Sequence, residues 1–410
     1  MRRSILLLAC ACPLFAAALP VARPEEAGMS SERLERLSAA MRGYIERGEV
    51  SGTVTLVARR GRVVHLKAQG LADVASQTPM RPDTIFRLAS MTKPITSVAV
   101  MMLLEEGRFL LTDPVSKFIP EFKNPRVLVV NPPGADRAGT RLVPAAREIT
   151  IRDLLTHTAG LAGPNSTALK PELDKFRAET PPDETLAAYT RRLAKLPLNF
   201  QPGTAWEYGP ATNVLGYLVE VVGGRSFDQF LQERIFRPLE MHDTFFYVPD
   251  GKLARLATLY TPTPGGLRAA ANAGRMRGSQ VFFSGAGGLF STAGDYARFS
   301  QMLLNGGALD GVRLLSRKSI ELMTANHIGD FAIWPDLAGY RFGLGFRALA
   351  DLGKSGRLGS PGMYGWSGAF GTYFFVDPRE QAIGILMIQV TDYGNIRLDA
   401  ESLAMQAIVD

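Results

Sequence analysis

A serine and a lysine stand three residues apart at the start of an apolar segment, residues 88–107, which reads LASMTKPITSVAVMMLLEEG. Residues three apart lie on neighbouring turns of one helix face, so Ser90 and Lys93 would be close. A serine hydroxyl is a weak nucleophile until a base takes its proton, and a buried lysine can be that base because burial disfavours its charged form. The pair is therefore a candidate nucleophile and general base. The same spacing would also arise without catalysis, if the serine only capped the helix and the lysine extended into solvent.

The residues after Lys93 have the periodicity of a helix. Apolar residues recur at 95, 98, 99, 102 and 103, the spacing of one helix face. Positions 100, 101 and 104 are also apolar, so the helix is expected to be buried on almost all sides. Gly107 marks its predicted end. The candidate nucleophile thus stands at the start of a buried helix, where unpaired backbone N–H groups favour an oxyanion.

Two pairs of β-rich segments lie near opposite ends of the chain. The first turns around Arg60-Gly61 and the second around residues 377–380, so both are predicted hairpins. The chain between them is mostly helical, with predicted capping boxes at Thr150 and at Ser226. This order predicts an α/β fold: an antiparallel β-sheet flanked by helices, with an inserted, mostly helical domain.

The predicted domain boundaries follow from that order. Residues 23–85 and 285–410 would form the α/β domain, beginning with a helix that carries Leu34 and Ile45. Residues 86–284 would form the helical domain, with the active site at the interface.

The first 18 residues indicate a secretory signal peptide. Two arginines precede an apolar stretch, and Ala16-Ala17-Ala18 offers a small-x-small cleavage site. Both cysteines, Cys10 and Cys12, lie in this segment, so the mature chain would contain neither disulfide nor thiol. We expect a periplasmic or secreted protein. A membrane anchor and a lipoprotein signal at residues 7–10 are the alternatives.

Composition excludes several other functions. The 46% apolar and 21% charged residues are typical of a globular protein, and the formal charge of +7 is scattered without a basic tract, so no nucleic-acid partner is expected. No later segment approaches the about 18 apolar residues of a membrane span, so no stable membrane insertion is expected. The four histidines, at 65, 157, 242 and 327, lack metal-ligand spacing, and no cofactor motif is present. A Gly-x-Ser-x-Gly elbow is also missing.

Several ordered blocks resemble one known superfamily. Ser90-Met-Thr-Lys93 resembles the Ser-x-x-Lys element of serine β-lactamases and penicillin-binding proteins. The blocks ITIRDLLTHTAGL, PGTAWEYGPATNVLG and GGLFSTAGDYARFSQMLLNGG are similar to those of its class C branch, and most of all to the family VIII carboxylesterases. The resemblance runs from about residue 24 to the C-terminus.

The resemblance implies roles for individual residues. Ser90 would be the nucleophile, and Lys93 and Tyr208 would move the proton, with Tyr208 as the tyrosine of the Tyr-x-Asn motif. The substrate-binding motif Lys-Thr-Gly would here be Trp366-Ser367-Gly368. The N–H groups of Ser90 and Ala369 would form the oxyanion hole.

Two departures from the β-lactamase motifs bear on the substrate. Pro210 stands where Tyr-x-Asn has its asparagine, and Trp366 replaces the lysine that assists binding of the β-lactam carboxylate. Asn213 is a candidate substitute amide. Both departures favour neutral esters, so we expect a carboxylesterase that acts on small, short acyl esters without a cofactor or metal.

Three alternatives remain open. One is a β-lactamase or D-Ala-D-Ala peptidase of the same superfamily. Another, from a different functional class, is an inactive binding protein or sensor on this scaffold. A Ser-His-Asp triad using His157 is a further possibility, although the resemblance implies that His157 closes a short helix. The oligomeric state is not indicated by the sequence.

Overall fold

The computed structural model describes residues 19–130, 139–163, 166–270 and 280–410. The expected signal peptide, residues 1–18, lies outside the described residues and stays a prediction. Over the described ranges, no helix combines the length and the hydropathy needed to cross a bilayer.

The α-helices of the described residues are α1 (Ser31–Glu46), α2 (Thr92–Glu105), α3 (Ile151–Thr156), α4 (Lys170–Ala178), α5 (Leu186–Leu193), α6 (Ala211–Gly223), α7 (Phe227–Leu231), α8 (Ala293–Leu304), α9 (Arg317–Thr324), α10 (Leu352–Ser355) and α11 (Ile396–Met405). The strands are β1 (Gly52–Arg59), β2 (Arg62–Asp73), β3 (Thr78–Pro79), β4 (Phe86–Arg87), β5 (Arg126–Val130), β6 (Thr140–Pro144), β7 (Tyr260–Thr263), β8 (Gly266–Ala269), β9 (Phe290–Ser291), β10 (Ala308–Leu309), β11 (Val312–Arg313), β12 (Tyr340–Phe342), β13 (Arg347–Leu349), β14 (Tyr364–Ser367), β15 (Tyr373–Asp377) and β16 (Ala382–Met387).

One antiparallel sheet joins the two ends of the chain. Its eight strands run in the order β12-β13-β14-β15-β16-β1-β2-β3. The two predicted hairpins meet where β1 pairs with β16, with Val54 opposite Met387. Between β1 and β2, Arg60 and Gly61 both have positive φ, 53° and 75°, as in the two-residue turns that match strand twist. The domain boundaries given above stay a prediction.

Helices cover both faces of this sheet. Successive side chains of a strand point to opposite faces. Phe374 of β15 packs edge-on against Tyr296 of α8, with ring centroids 4.9 Å apart. Its neighbour Tyr373 donates a hydrogen bond to Glu401 of α11, on the other face. The predicted antiparallel sheet flanked by helices is therefore confirmed.

Helix α2 is buried as its apolar periodicity predicts. Every residue from Thr92 to Leu103 is buried, and α2 packs against α6. The predicted capping box at Thr150 is present at the start of α3. The predicted box at Ser226 is wrong, because the Ser226 side chain caps nothing. At this end of α7, Glu220 of the preceding helix accepts a hydrogen bond from the Phe227 N–H.

Candidate active site

Ser90 and Lys93 are in hydrogen-bond contact at the start of α2. Lys93 Nζ donates to Ser90 Oγ at 3.3 Å and to the carbonyl oxygen of Ala286 at 2.7 Å. Lys93 is only 4% exposed, so the alternative of a solvent-reaching lysine is wrong. The serine-cap alternative is also wrong, because neither Ser90 nor another side chain caps α2. This is the arrangement that a lysine-assisted serine nucleophile requires.

The backbone just before Ser90 is strained. Ala89 has a φ of 46°, in the left-handed region that costs a residue with a β-carbon roughly 1–2 kcal/mol. Ser90 lies in a short 3-10 turn, Ala89–Met91, between this residue and α2. No residue type in the sequence signals this strain, since alanine rarely adopts such a conformation.

Tyr208 lies between Lys93 and the Trp366-Ser367-Gly368 motif. The Lys93 amine is 4.6 Å from the centroid of the Tyr208 ring. Tyr208 Oη accepts a hydrogen bond of 3.4 Å from Nε1 of Trp366, on β14. The structure thus brings together residues from three distant parts of the chain, as the resemblance implies.

The Trp366-Ser367-Gly368 motif packs closely against the segment that carries Ser90. A β-carbon on Gly368 would lie 2.3 Å from the carbonyl oxygen of Leu88, so only glycine fits there. Thr372 Oγ1 donates to the same carbonyl at 3.1 Å. These contacts set the distance between Ser90 and the end of β14.

Three backbone N–H groups near Ser90 differ in their hydrogen bonding. The Gly368 N–H donates to the carbonyl oxygen of Thr372, whereas the N–H groups of Ser90 and Ala369 have no protein acceptor among the described residues. Both residues border a cavity of about 270 Å³. An oxyanion hole requires two free donors on residues that border one cavity, and Ser90 and Ala369 meet that requirement.

The same cavity contains residues that sequence reasoning missed. Its lining includes the predicted residues Ser90, Tyr208, Trp366, Ser367, Gly368 and Ala369, and the unpredicted residues Trp334, Asp336, Tyr393 and Arg397. Trp334 stacks on Trp366 with centroids 5.6 Å apart and packs edge-on against Tyr208. Trp334 and Asp336 come from the segment before β12, Tyr393 precedes α11 and Arg397 lies in it. No local motif marks these residues.

A second, larger chamber adjoins Tyr208. Its volume is about 410 Å³, and apolar residues such as Leu173, Phe176 and Phe282 form much of its wall. Pro210 also lines it, at the position where an asparagine would otherwise project an amide.

Asn213, the candidate substitute amide, lines the same chamber, and its side-chain oxygen is bound within the protein. Its Oδ1 accepts bonds from Ser284 Oγ at 2.9 Å and from the Ala286 N–H at 3.0 Å. Ala286 in turn accepts the hydrogen bond from Lys93. Asn213 therefore positions the segment that positions the lysine.

His157 is buried behind Tyr208. It ends α3 in a left-handed conformation, and its ring centroid is 4.9 Å from that of Tyr208. Burial, with a smaller contribution from the Lys93 charge, lowers the pKa of His157 to about 3. Its Nδ1 has no partner among the described residues, so no carboxylate orients it as a triad would require.

Comparisons with known proteins agree with this geometry. A family model described as Beta-lactamase matches residues 37–406. Protein Rv1367c of Mycobacterium tuberculosis is 38% identical over 374 residues, covering 87% of this chain and 90% of its own. Esterase EstB of Burkholderia gladioli is 31% identical over 384 residues, with coverage of 87% and 90%. The solved structure of EstCE1, described as a hydrolase with promiscuous acyltransferase activity, superposes with a TM-score of 0.78 at 26% identity, covering 91% of this chain and 98% of that one.

Proposed function

Because this chain belongs to the Beta-lactamase family and is a serine hydrolase, we propose that it is a carboxylesterase that hydrolyses short acyl esters through an acyl-enzyme on Ser90. The observation that carries the proposal is the buried Lys93 amine in contact with Ser90 Oγ, beside two free N–H groups on the same cavity.

The proposed reaction has two steps. In the first, Ser90 Oγ attacks the ester carbonyl while Lys93 takes its proton, and the tetrahedral oxyanion accepts bonds from the N–H groups of Ser90 and Ala369. The proton then passes, with Tyr208 as relay, to the departing alkoxide, and the acyl-enzyme remains. In the second step, water attacks the acyl carbonyl and gives a proton to the same groups. The bond between the acyl carbon and Ser90 Oγ then breaks, Oγ takes that proton back, and the carboxylic acid leaves.

The walls of the site favour an ester over a β-lactam. Trp366 is 2% exposed and packs between Trp334, Phe342 and Tyr208, so an aromatic surface replaces the lysine of the Lys-Thr-Gly motif. Pro210 has no side-chain amide to bind an amide of the substrate. The relative EstB is named an esterase, which supports the same choice. The signal peptide, and with it a periplasmic or secreted location, is part of this proposal.

The decisive experiment replaces the nucleophile. Ser90→Ala should abolish hydrolysis of 4-nitrophenyl butyrate and covalent labelling by a fluorophosphonate, with an unchanged circular-dichroism spectrum. The matched control is Ser97→Ala, on the same helix, whose buried hydroxyl has no hydrogen-bond partner among the described residues. Full turnover by Ser90→Ala would refute the assignment of the nucleophile.

The same assays separate the alternatives. Nitrocefin hydrolysis by the wild type as fast as that of 4-nitrophenyl butyrate would favour the β-lactamase or peptidase alternative. If neither ester nor penicillin probes form an acyl-enzyme, the inactive binding protein is the better description.

A further inference from the structure

Phe282, in the segment before β9, borders two separate cavities beside the candidate active site. One is the chamber of about 410 Å³ that adjoins Tyr208. The other has a volume of about 250 Å³, and Phe246, Gly287 and Phe370 are among the residues that line it. We call it the Phe370 compartment. Phe282 is the one described residue that lines both cavities.

Both cavities lie next to the reacting groups. Tyr208 lines the chamber and also the cavity of about 270 Å³ that contains Ser90. In the Phe370 compartment, a β-carbon on Gly287 would lie 3.5 Å from the backbone carbonyl carbon of Ala89, the residue before Ser90. A chain attached to the Ser90 oxygen therefore starts close to both cavities.

The wall between the two cavities is thin. Asn213 lines the chamber, Ser284 lines the Phe370 compartment, and Ser284 Oγ donates a hydrogen bond of 2.9 Å to Asn213 Oδ1. This pair is the polar part of the wall, and the side chain of Phe282 is its apolar part. One layer of side chains thus separates the two cavities.

Contacts on both sides hold Phe282 in this wall. Tyr247 Oη donates to the Phe282 carbonyl oxygen at 3.0 Å and accepts from the Phe282 N–H at 3.2 Å. On the chamber side, the ring of Tyr189 packs edge-on against that of Phe282, with centroids 5.4 Å apart. Edge-to-face contacts fix the orientation of a ring as well as its position. Phe282 is therefore held as a partition.

We propose that Phe282 limits the length of the acyl chain by keeping the chamber and the Phe370 compartment apart. This inference rests on the proposed esterase function and names its substrate class, which is esters whose acyl chain fits within one of the two cavities. The cavity in front of Ser90 contains the charged residues Asp336 and Arg397, whereas most residues that line the other two cavities are apolar. An apolar acyl chain gains more by burial there, until it reaches the partition and further carbons stay in water.

The experiment measures kcat/KM for the 4-nitrophenyl esters of acetate, butyrate, octanoate and decanoate, each below the concentration at which it aggregates. The wild type should have a higher kcat/KM on the butyrate than on the octanoate. Phe282→Ala makes the two cavities continuous, so the ratio of kcat/KM on the octanoate to that on the butyrate should rise at least about tenfold. Phe282→Leu should give a smaller rise.

Phe283→Ala is the matched control. It removes the same ring from the next position of the chain, where Phe283 packs against Phe246 and Tyr247 with centroid distances of 5.4 and 6.0 Å. Phe283 lines neither the chamber nor the Phe370 compartment. Its variant should keep the wild-type ratio between the octanoate and the butyrate.

The outcomes separate this inference from the proposed function. An unchanged ratio in a folded Phe282→Ala protein would overturn it, and so would an equal rise in Phe283→Ala. Wild-type kcat/KM that is as high on the octanoate as on the butyrate would overturn it even if the Phe282 variants do not fold. In each of these cases, turnover of the shorter esters through Ser90 leaves the esterase proposal standing. An absence of turnover on all four esters would overturn both.

Discussion

Replacing Lys93 by methionine tests the central chemical argument. The side chain is 4% exposed, and no carboxylate forms an ion pair with it among the described residues. Methionine has a similar length and no charge, so it should fill the same space. The substitution removes the contact of 3.3 Å with Ser90 Oγ and that of 2.7 Å with the Ala286 carbonyl oxygen.

The expected effects on activity and stability differ in size. A positioned general base contributes about 10²- to 10⁴-fold, which corresponds to roughly 3–5 kcal/mol of transition-state stabilisation. For folding, the loss of a partner for the Ala286 carbonyl costs about 1–3 kcal/mol. Methionine also removes the cost of burying a polar amine, which offsets part of this loss. We therefore expect activity to collapse while the free energy of unfolding falls by no more than about 1–3 kcal/mol.

The assay combines kcat/KM on 4-nitrophenyl butyrate with urea unfolding of the same preparations. Lys123→Met, at an exposed position, is the matched control. A loss of less than about tenfold in a folded Lys93→Met protein would refute the role of this amine as general base. A large loss of stability would instead show that the amine serves mainly to hold the fold together.

Two further predictions concern residues behind the catalytic pair. Asn213→Ala leaves the Ser284 hydroxyl and the Ala286 N–H without their acceptor, so unfolding in urea should show a loss of about 2–3 kcal/mol. Because Asn213 acts through Ala286, kcat should fall and KM should stay near its wild-type value; an unchanged kcat would contradict this positioning role. His157 has a folded pKa of about 3 against 6.5 when unfolded, so the unfolded chain takes up a proton first as the pH falls, and stability is lost below about pH 6.5. Between pH 7 and 5, the free energy of unfolding of the wild type should fall by about 2 kcal/mol more than that of His157→Gln. The same fall in both proteins would contradict the buried, neutral state of His157. Burial lowers the pKa of His65 to about 4, and His65 contributes equally to both proteins.

Short-range sequence patterns predicted many of the helices, strands and turns. The all-round apolar pattern after Lys93 corresponds to a helix buried over Thr92–Leu103. The Arg60-Gly61 pair forms the turn expected between two strands. The capping box at Ser226 does not form, and the first N–H of α7, that of Phe227, is bound by Glu220 of the preceding helix. Local patterns predict an element, but they do not decide which hydrogen-bond partners the tertiary packing brings to its end.

The residues of the site that the sequence did not predict are brought there by contacts between distant parts of the chain. The carbonyl oxygen that receives the Lys93 amine belongs to Ala286, far along the chain. Trp334 and Arg397 enter the cavity from a loop and from the last helix. No spacing rule connects such residues to Ser90, because the backbone between them is free to take many paths until the sheet forms.

The sequence by itself determined the nucleophile candidate, the buried helix behind it and the family, since these depend on residue types at short spacing and on motifs in order. The tertiary structure alone decided which groups surround the reacting atoms: the unpaired N–H groups of Ser90 and Ala369, the aromatic wall and the guanidinium of Arg397. Electrostatic effects depend on distance and burial, and both are set only when strands from the two ends of the chain pair in one sheet.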